Sequence, residues 1–263
     1  MKIHIDDLLT TSLLFLCMAT DCIADPLVLA DSIKTGDTVS GAIKLGRRVI
    51  ALPRGNWQVI ARSERNPSTD GTAQMSPMVS INFQELLENK ITRTLQVEAT
   101  TYSIRANWND EPCKNKGDSY YIDDKKIGIN DQFCIRVSYT HDFLDGARGE
   151  TFLGWAHDVK LRGISYSTEM PYVQVTRYNS ADYLRMLIRF NPIVYGIPPS
   201  KEKPRQFNDW NPTSLAAHPQ RAKFYESLRA WAPDFAAAVN RAFKGDETLT
   251  ERDFGDPNLT TLP

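Results

Sequence analysis

Two histidine–aspartate pairs carry the side chains that could do chemistry. His141-Asp142 and His157-Asp158 lie within one short region of the chain. A histidine beside a carboxylate can ligate a metal ion or serve in acid–base chemistry, so a hydrolase that uses these residues is one hypothesis. Adjacent side chains point apart on a strand or a helix, however, so neither pair is a ready-made dyad. The simpler interpretation is structural, because Asp158 is also placed to pair with Arg162 one helical turn further on.

A second group combines arginine and tyrosine on two predicted neighbouring strands. Its members are Arg177, Tyr178, Tyr183, Arg185 and Arg189. Surfaces rich in arginine and aromatic residues are enriched in interfaces, so this patch could bind an anionic or glycan ligand. The alternative is that these side chains form the solvated face of a half-buried sheet and shield its edge.

No familiar catalytic motif is present in the sequence. The closest approach to a nucleophile elbow, residues 163–167 (GISYS), lacks the second glycine that the tight turn requires. The acidic residues between 118 and 131 are interleaved with lysines and fail the spacing of an EF-hand, which favours a solvated loop over a calcium site. The formal net charge of -1 gives no overall field that would attract nucleic acid. We therefore predict no cofactor, no metal site and no nucleic-acid partner.

The first two dozen residues are typical of a secretory signal peptide. Residues 8–19 form an apolar run that is short for a bilayer span and is followed by small residues. Cleavage after Ala19 or after Ala24 fits this pattern, and cleavage after Ala24 leaves Cys113 and Cys134 as an even pair. We predict a periplasmic or secreted protein with a Cys113–Cys134 disulfide and no membrane-spanning segment after cleavage. The alternative is that these residues form a buried N-terminal helix.

The middle of the chain shows the period-two alternation of antiparallel strands. A Pro/Gly turn at 53–55 predicts a hairpin over residues 50–62, and a second hairpin is expected over residues 77–101. Further strands are predicted over residues 133–140, 172–178 and 183–190, with a short helix over 152–162. In several strands apolar residues alternate with polar ones, so we expect one face of the sheet to be wet.

The period changes to about 3.6 residues after a proline-rich connector at 191–212. One helix is predicted from Pro219 to Ala230 and another from Pro233, with Gly245 as its end. Trp231 lies where the two would meet. The predicted organisation is a signal peptide (1–24), a β-rich body (25–190), the connector (191–212), C-terminal helices on the same core (213–245) and a flexible tail (246–263).

These patterns predict an α+β fold. It is an antiparallel β-rich body (a sandwich or a half-barrel) with one inserted short helix and a C-terminal helical pair packed on the sheet. The function we favour from sequence is an exported, non-catalytic cell-envelope module that binds a ligand or a protein partner. The alternatives are the hydrolase with His141 and His157, and a structural component of an envelope assembly.

Overall fold

A computed structural model describes residues 28–65, 77–102, 117–128, 130–146, 150–200 and 204–259. The predicted signal peptide and Cys113 lie outside these residues. The strands are β1 (Val28–Leu29), β2 (Thr38–Val39), β3 (Ala42–Leu45), β4 (Arg48–Ala51), β5 (Trp57–Arg65), β6 (Met78–Leu87), β7 (Lys90–Thr100), β8 (Tyr121–Gly128), β9 (Asp131–Thr140), β10 (Met170–Tyr178) and β11 (Tyr183–Phe190). The helices are α1 (Glu150–Leu161) and α2 (Pro219–Phe243), and short 3-10 helices lie at Ala30–Ser32, Pro192–Tyr195, Arg205–Phe207, Leu215–Ala217 and Glu251–Phe254.

Eight strands form one antiparallel sheet in the order β2-β5-β6-β7-β11-β10-β9-β8. The chain runs through β5, β6 and β7, crosses to the far edge at β8, and returns strand by strand until β11 pairs with β7. A smaller sheet has the order β1-β3-β4, with β1 parallel to β3. Within the described residues, no helix is both long enough and apolar enough to cross a membrane.

The main hydrophobic core lies between one face of the large sheet and α2. Apolar side chains of that sheet face, of α2 and of the small sheet belong to a single buried cluster. On α2 the buried positions recur at helical spacing, as Phe224, Leu228, Phe235 and Val239 show. The predicted α+β class, and the packing of C-terminal helical structure on the sheet, are therefore confirmed.

The C-terminal helical structure is one helix, so the predicted break at Pro233 is wrong. Helix α2 runs without interruption from Pro219 to Phe243 and contains Pro233. Proline removes one backbone hydrogen bond, which frees the carbonyl of Arg229 four residues earlier. Both Pro233 and Arg229 are exposed, so water can satisfy that carbonyl, and the buried stripe on the opposite side holds the helix together.

The segment after α2 is packed rather than flexible through Leu259, in contrast to the predicted tail. Leu249, Phe254 and Leu259 are buried in the main core. A reciprocal pair of hydrogen bonds between Thr250 and Asp253 caps the 3-10 helix that carries Phe254. The apolar residues of this segment are spaced too irregularly to show a helical or strand period, which is why the sequence pattern suggested a frayed end.

The other face of the large sheet, here called the polar face, is covered at one end by α1. A second buried cluster joins Trp155, Ala156 and Val159 of α1 to Ile60 and Ile91 of the sheet. The pairing register shifts beside Ile60 in β5 and near Ile91 in β7, and such bulges re-aim side chains. They bring two isoleucines to a face that otherwise carries polar side chains, and so provide an apolar seat for α1.

The polar face is not wet as predicted. Asn82, Gln84, Thr94 and Glu98 lie on this face and are each at most 4% exposed. Polar side chains that are buried in this way cost free energy unless they find partners, so their retention calls for an explanation in terms of contacts or function.

Candidate functional site

Trp155 fixes α1 to the polar face through a directed chain of hydrogen bonds. Its Nε1 donates to Oε1 of Gln84 at 2.9 Å, and Nε2 of Gln84 donates to Oε1 of Gln58 at 2.8 Å. Because an indole can only donate, the direction of both bonds is set by Trp155. This series of hydrogen bonds therefore ends in the NH2 group of Gln58, which has no acceptor among the described residues and is available as a donor.

Two cavities lie beside Trp155, and both are lined in part by Ile60 and Trp155. The larger, here called the edge cavity, lies between α1 and the β2–β5 edge of the large sheet and has a volume of about 370 Å³. Its lining residues are Thr35, Gly36, Gln58, Val59, Ile60, Gln84, Gly154, Trp155, Asp158 and Arg162. Asp158 and Arg162 form a half-exposed ion pair at 3.1 Å, as the sequence predicted. The edge cavity therefore combines an indole and aliphatic walls with amide groups.

The smaller cavity, here called the inner cavity, has a volume of about 70 Å³ and lies further along the polar face. Phe143, Phe152 and Trp155 form its aromatic wall, and the two outer rings meet the indole edge-on at 5.4 and 6.1 Å between centroids. Its polar lining comes from Asn82, Thr94, Thr140 and Arg189. One cationic group thus faces a small space with apolar walls.

Arg189 is held by weak partners. Its Nε donates to Oγ1 of Thr140 at 3.0 Å, and its guanidinium lies 5.7 Å from the centre of the Phe143 ring. No carboxylate of the described residues lies within ion-pair distance of it, in contrast to Arg185 on the same strand, which pairs with Glu98 at 2.6 Å. The pKa of Arg189 is lowered to about 10, mainly by burial; Tyr172 opposes this shift, and the nearby charge of Arg185 contributes to it. Arg189 still carries its charge at neutral pH.

The structure divides the predicted arginine–tyrosine patch between the two faces of the sheet. Tyr178, Tyr183, Arg185 and Arg189 lie on the polar face, because the β10–β11 register places Tyr178 opposite Tyr183. Arg177 lies opposite Leu184 and faces α2, where its guanidinium covers the Phe243 ring at 4.6 Å.

The patch members differ in what they contact. Arg177 also forms an ion pair with Asp131, and its side chain does not lie on the polar face. Tyr178 and Tyr183 pack with Met78 and Cys134 in a small buried cluster. Arg189 lines the inner cavity, and the other patch members line neither the inner nor the edge cavity.

The structure gives the histidine–aspartate pairs separate surroundings. His141 lies 3.3 Å from Asp142 and 3.9 Å from the buried Glu169, whereas His157 is exposed on α1. Neither histidine lines the edge cavity or the inner cavity. Among the described residues, no three His, Cys, Asp or Glu side chains are grouped so that they could hold a metal ion.

Sequence reasoning missed Asn82, Thr94 and Thr140 as site residues. A signal was present in the alternation itself, since Asn82 and Thr94 occupy the polar positions of two central strands. The predicted wet face gave those positions no role, and only the position of α1 shows that they line a cavity.

The Cys113–Cys134 disulfide stays a prediction, because Cys113 lies outside the described residues. Cys134 is 2% exposed on β9. The sequence matches no family model, no curated protein and no solved structure.

Proposed function

We propose that this chain is an exported ligand-binding module that holds a small molecule in the edge cavity. The observation that carries the proposal is the cavity itself. Its volume of about 370 Å³ falls in the range of roughly 300–1,000 Å³ that is typical of small-molecule sites. Such sites combine apolar walls with a few placed polar groups, and here the indole of Trp155 and Ile60 lie beside the amide of Gln58.

Preorganisation supports binding at this place. The hydrogen bonds from Trp155 to Gln84 and from Gln84 to Gln58 fix the amide before a ligand arrives, so little side-chain freedom is lost on binding. The NH2 group of Gln58, at the end of this series of hydrogen bonds, selects ligands that carry a hydrogen-bond acceptor near an apolar body. Export, to the periplasm or the medium, is supported by the apolar run and the cysteine parity of the sequence.

Gly154 offers a direct test. A Cβ built on Gly154 meets no atom within 4 Å, and the residue lines the edge cavity, so Gly154→Leu places a side chain into the space. Alanine-like residues are favoured over glycine in helices by about 1 kcal/mol, so this variant should fold at least as stably as the wild type. His157→Leu adds the same side chain on the exposed side of α1 and is the matched control.

The assay is the fluorescence of the neutral probe 6-propionyl-2-(dimethylamino)naphthalene, whose ketone is a hydrogen-bond acceptor on an apolar body, titrated with each protein. The wild type and His157→Leu should enhance its emission with saturation, and Gly154→Leu should lose at least tenfold in affinity. Equal affinity for Gly154→Leu and the wild type would show that the edge cavity is not the binding site. His157→Leu also removes the imidazole on which the hydrolase alternative depends.

A further inference from the structure

The cross-strand pairs between β7 and β11 on the polar face show one missing partner. Arg185 lies opposite Glu98, Leu187 opposite Gln96 and Arg189 opposite Thr94. At the first of these positions the arginine meets a carboxylate at 2.6 Å. At the last it meets a threonine, and the inner cavity occupies the space beside it. The sheet thus places a second arginine that has no carboxylate partner among the residues that the structure describes.

Thr94 is also left without a hydrogen-bond partner among the described residues, and Asn82 lies beside it in the cavity lining. Thr94 is 3% exposed and its Oγ1 has no hydrogen-bond partner, while Asn82 is 4% exposed and lines the same cavity. A buried hydroxyl without a partner costs about 1–3 kcal/mol, so its position is explained better by a ligand than by folding. Among the described residues, a hydroxyl, an amide and a guanidinium therefore converge on the inner cavity.

We propose that the inner cavity binds the carboxylate of a small monocarboxylic acid between Arg189 and Thr94. A carboxylate accepts hydrogen bonds from a guanidinium fork and from a hydroxyl in one plane. A single negative charge neutralises the guanidinium of Arg189, whereas a phosphate dianion would leave one buried charge uncompensated. The aromatic wall of Phe143, Phe152 and Trp155 suits the short apolar part of such an acid. This anion site goes beyond the edge cavity and its neutral probe.

The test titrates ¹⁵N-labelled protein with sodium acetate and sodium propionate in chloride-free buffer at constant ionic strength. The resonances of the Trp155 indole and of the Arg189 Nε–H group report on the cavity. Acetamide and propionamide have nearly the same shape without the charge and should produce no saturable shift. Inorganic phosphate and chloride are titrated separately as competing anions.

Four variants sharpen the test. Arg189→Met should abolish the saturable shift, and Thr94→Val should weaken binding about tenfold through loss of one hydrogen bond. Thr94→Glu supplies an internal carboxylate that reproduces the Glu98–Arg185 pair, and it should abolish acetate binding by occupying the guanidinium of Arg189. Arg54→Met removes an exposed arginine and should bind acetate like the wild type.

Several outcomes would overturn the proposal. They are the absence of acetate-dependent shifts in the wild type, equal binding by Arg189→Met, equal binding of acetamide, and tighter binding of phosphate or chloride. Thr94→Val keeps the shape of threonine and loses only a partnerless hydroxyl, so it remains informative if Arg189→Met fails to fold. A negative result for the inner cavity would not affect the proposal that the edge cavity binds a ligand. The two tests are distinguishable because Gly154 does not line the inner cavity and Arg189 does not line the edge cavity.

Discussion

Replacing Trp231 should have a large effect on stability, because this side chain joins three parts of the fold. It is 5% exposed on α2 and meets Phe190 of the sheet edge-on at 5.7 Å. It also packs on Phe235 at 4.9 Å, and its Nε1 donates to the carbonyl oxygen of Phe254 at 2.6 Å. The indole therefore ties the helix to the sheet and to the segment that follows the helix.

The expected loss has two components. Truncation of a buried tryptophan to alanine costs about 3–5 kcal/mol through lost contacts and the cavity that remains. The Phe254 carbonyl loses its donor, which adds about 1 kcal/mol. Trp231→Phe separates the two, since it keeps an aromatic ring and removes the N–H group, and it should cost about 1–2 kcal/mol. Since whole domains are stable by about 5–15 kcal/mol, Trp231→Ala should remove a large fraction of the free energy of unfolding.

Urea denaturation followed by circular dichroism measures the free energy of unfolding for each variant. Limited proteolysis adds a local measurement, because cleavage within residues 246–259 should accelerate in Trp231→Ala before the rest of the chain is cut. Phe207→Ala removes an aromatic residue that is 63% exposed and should change stability by less than about 0.5 kcal/mol. A loss below about 1.5 kcal/mol for Trp231→Ala, with unchanged proteolysis, would refute the role assigned to the indole.

Four further predictions follow from the fold and the sequence. Pro233→Ala restores a helical hydrogen bond on the exposed side of α2. It should raise the free energy of unfolding by about 1–2 kcal/mol, and the midpoint of urea denaturation should rise accordingly; an unchanged midpoint contradicts this. Burial raises the pKa of Tyr195 to about 12, so the folded state keeps a proton that the unfolded state releases near pH 10. Stability should therefore fall between pH 10 and pH 12, and this fall should be smaller in Tyr195→Phe. Reduction should raise the intact mass by about two hydrogens if Cys113 and Cys134 are bonded, and an unchanged mass excludes the bond. N-terminal sequencing of the exported protein should begin at Asp25, whereas a mature chain that retains Met1 argues against export.

Most strands of the large sheet could be predicted because alternation reports directly on which face is apolar. The predicted hairpin over residues 50–62 is wrong, since β4 and β5 lie in different sheets, and β8 lies in a stretch that was interpreted as a loop. The same alternation also indicates which face Arg177 occupies. Arg177 is separated from Val173 and Val175 by an even number of residues, so it faces the main core with them. Grouping Arg177 with Arg185 relied on the type of residue rather than on this parity. Face assignment in a regular strand is therefore within reach of sequence reasoning.

The continuity of α2 could not be predicted from local propensity. A proline inside a helix costs about 3 kcal/mol relative to alanine, so Pro233 favoured a break. The buried contacts of Phe224, Leu228, Phe235 and Val239 outweigh that cost, and they exist only once the sheet is in place. Tertiary packing decided this element, as it did for the segment that buries Phe254.

The inner cavity lay beyond sequence reasoning for a different reason. The polar positions of β6 and β7 have the pattern of a solvated face. Sequence alternation alone cannot distinguish a polar residue that faces solvent from one that lines a binding cavity. What distinguishes Thr94 is that α1 covers its neighbourhood and that Arg189 lies directly opposite. Both facts depend on contacts between residues that are distant in the chain.

The packing of α2 and of the segment through Leu259 against the sheet also sets the order of events during synthesis. Strand β7 leaves the ribosome long before β11, although Leu184 and Ala99 are neighbours in the finished sheet. The apolar face of that sheet stays uncovered until α2 and Phe254 have emerged. Pairings between distant parts of a chain form slowly, and uncovered strands are prone to aggregation. The growing chain therefore cannot complete its native core until Leu259 has been made, and its uncovered strands are exposed to aggregation until then.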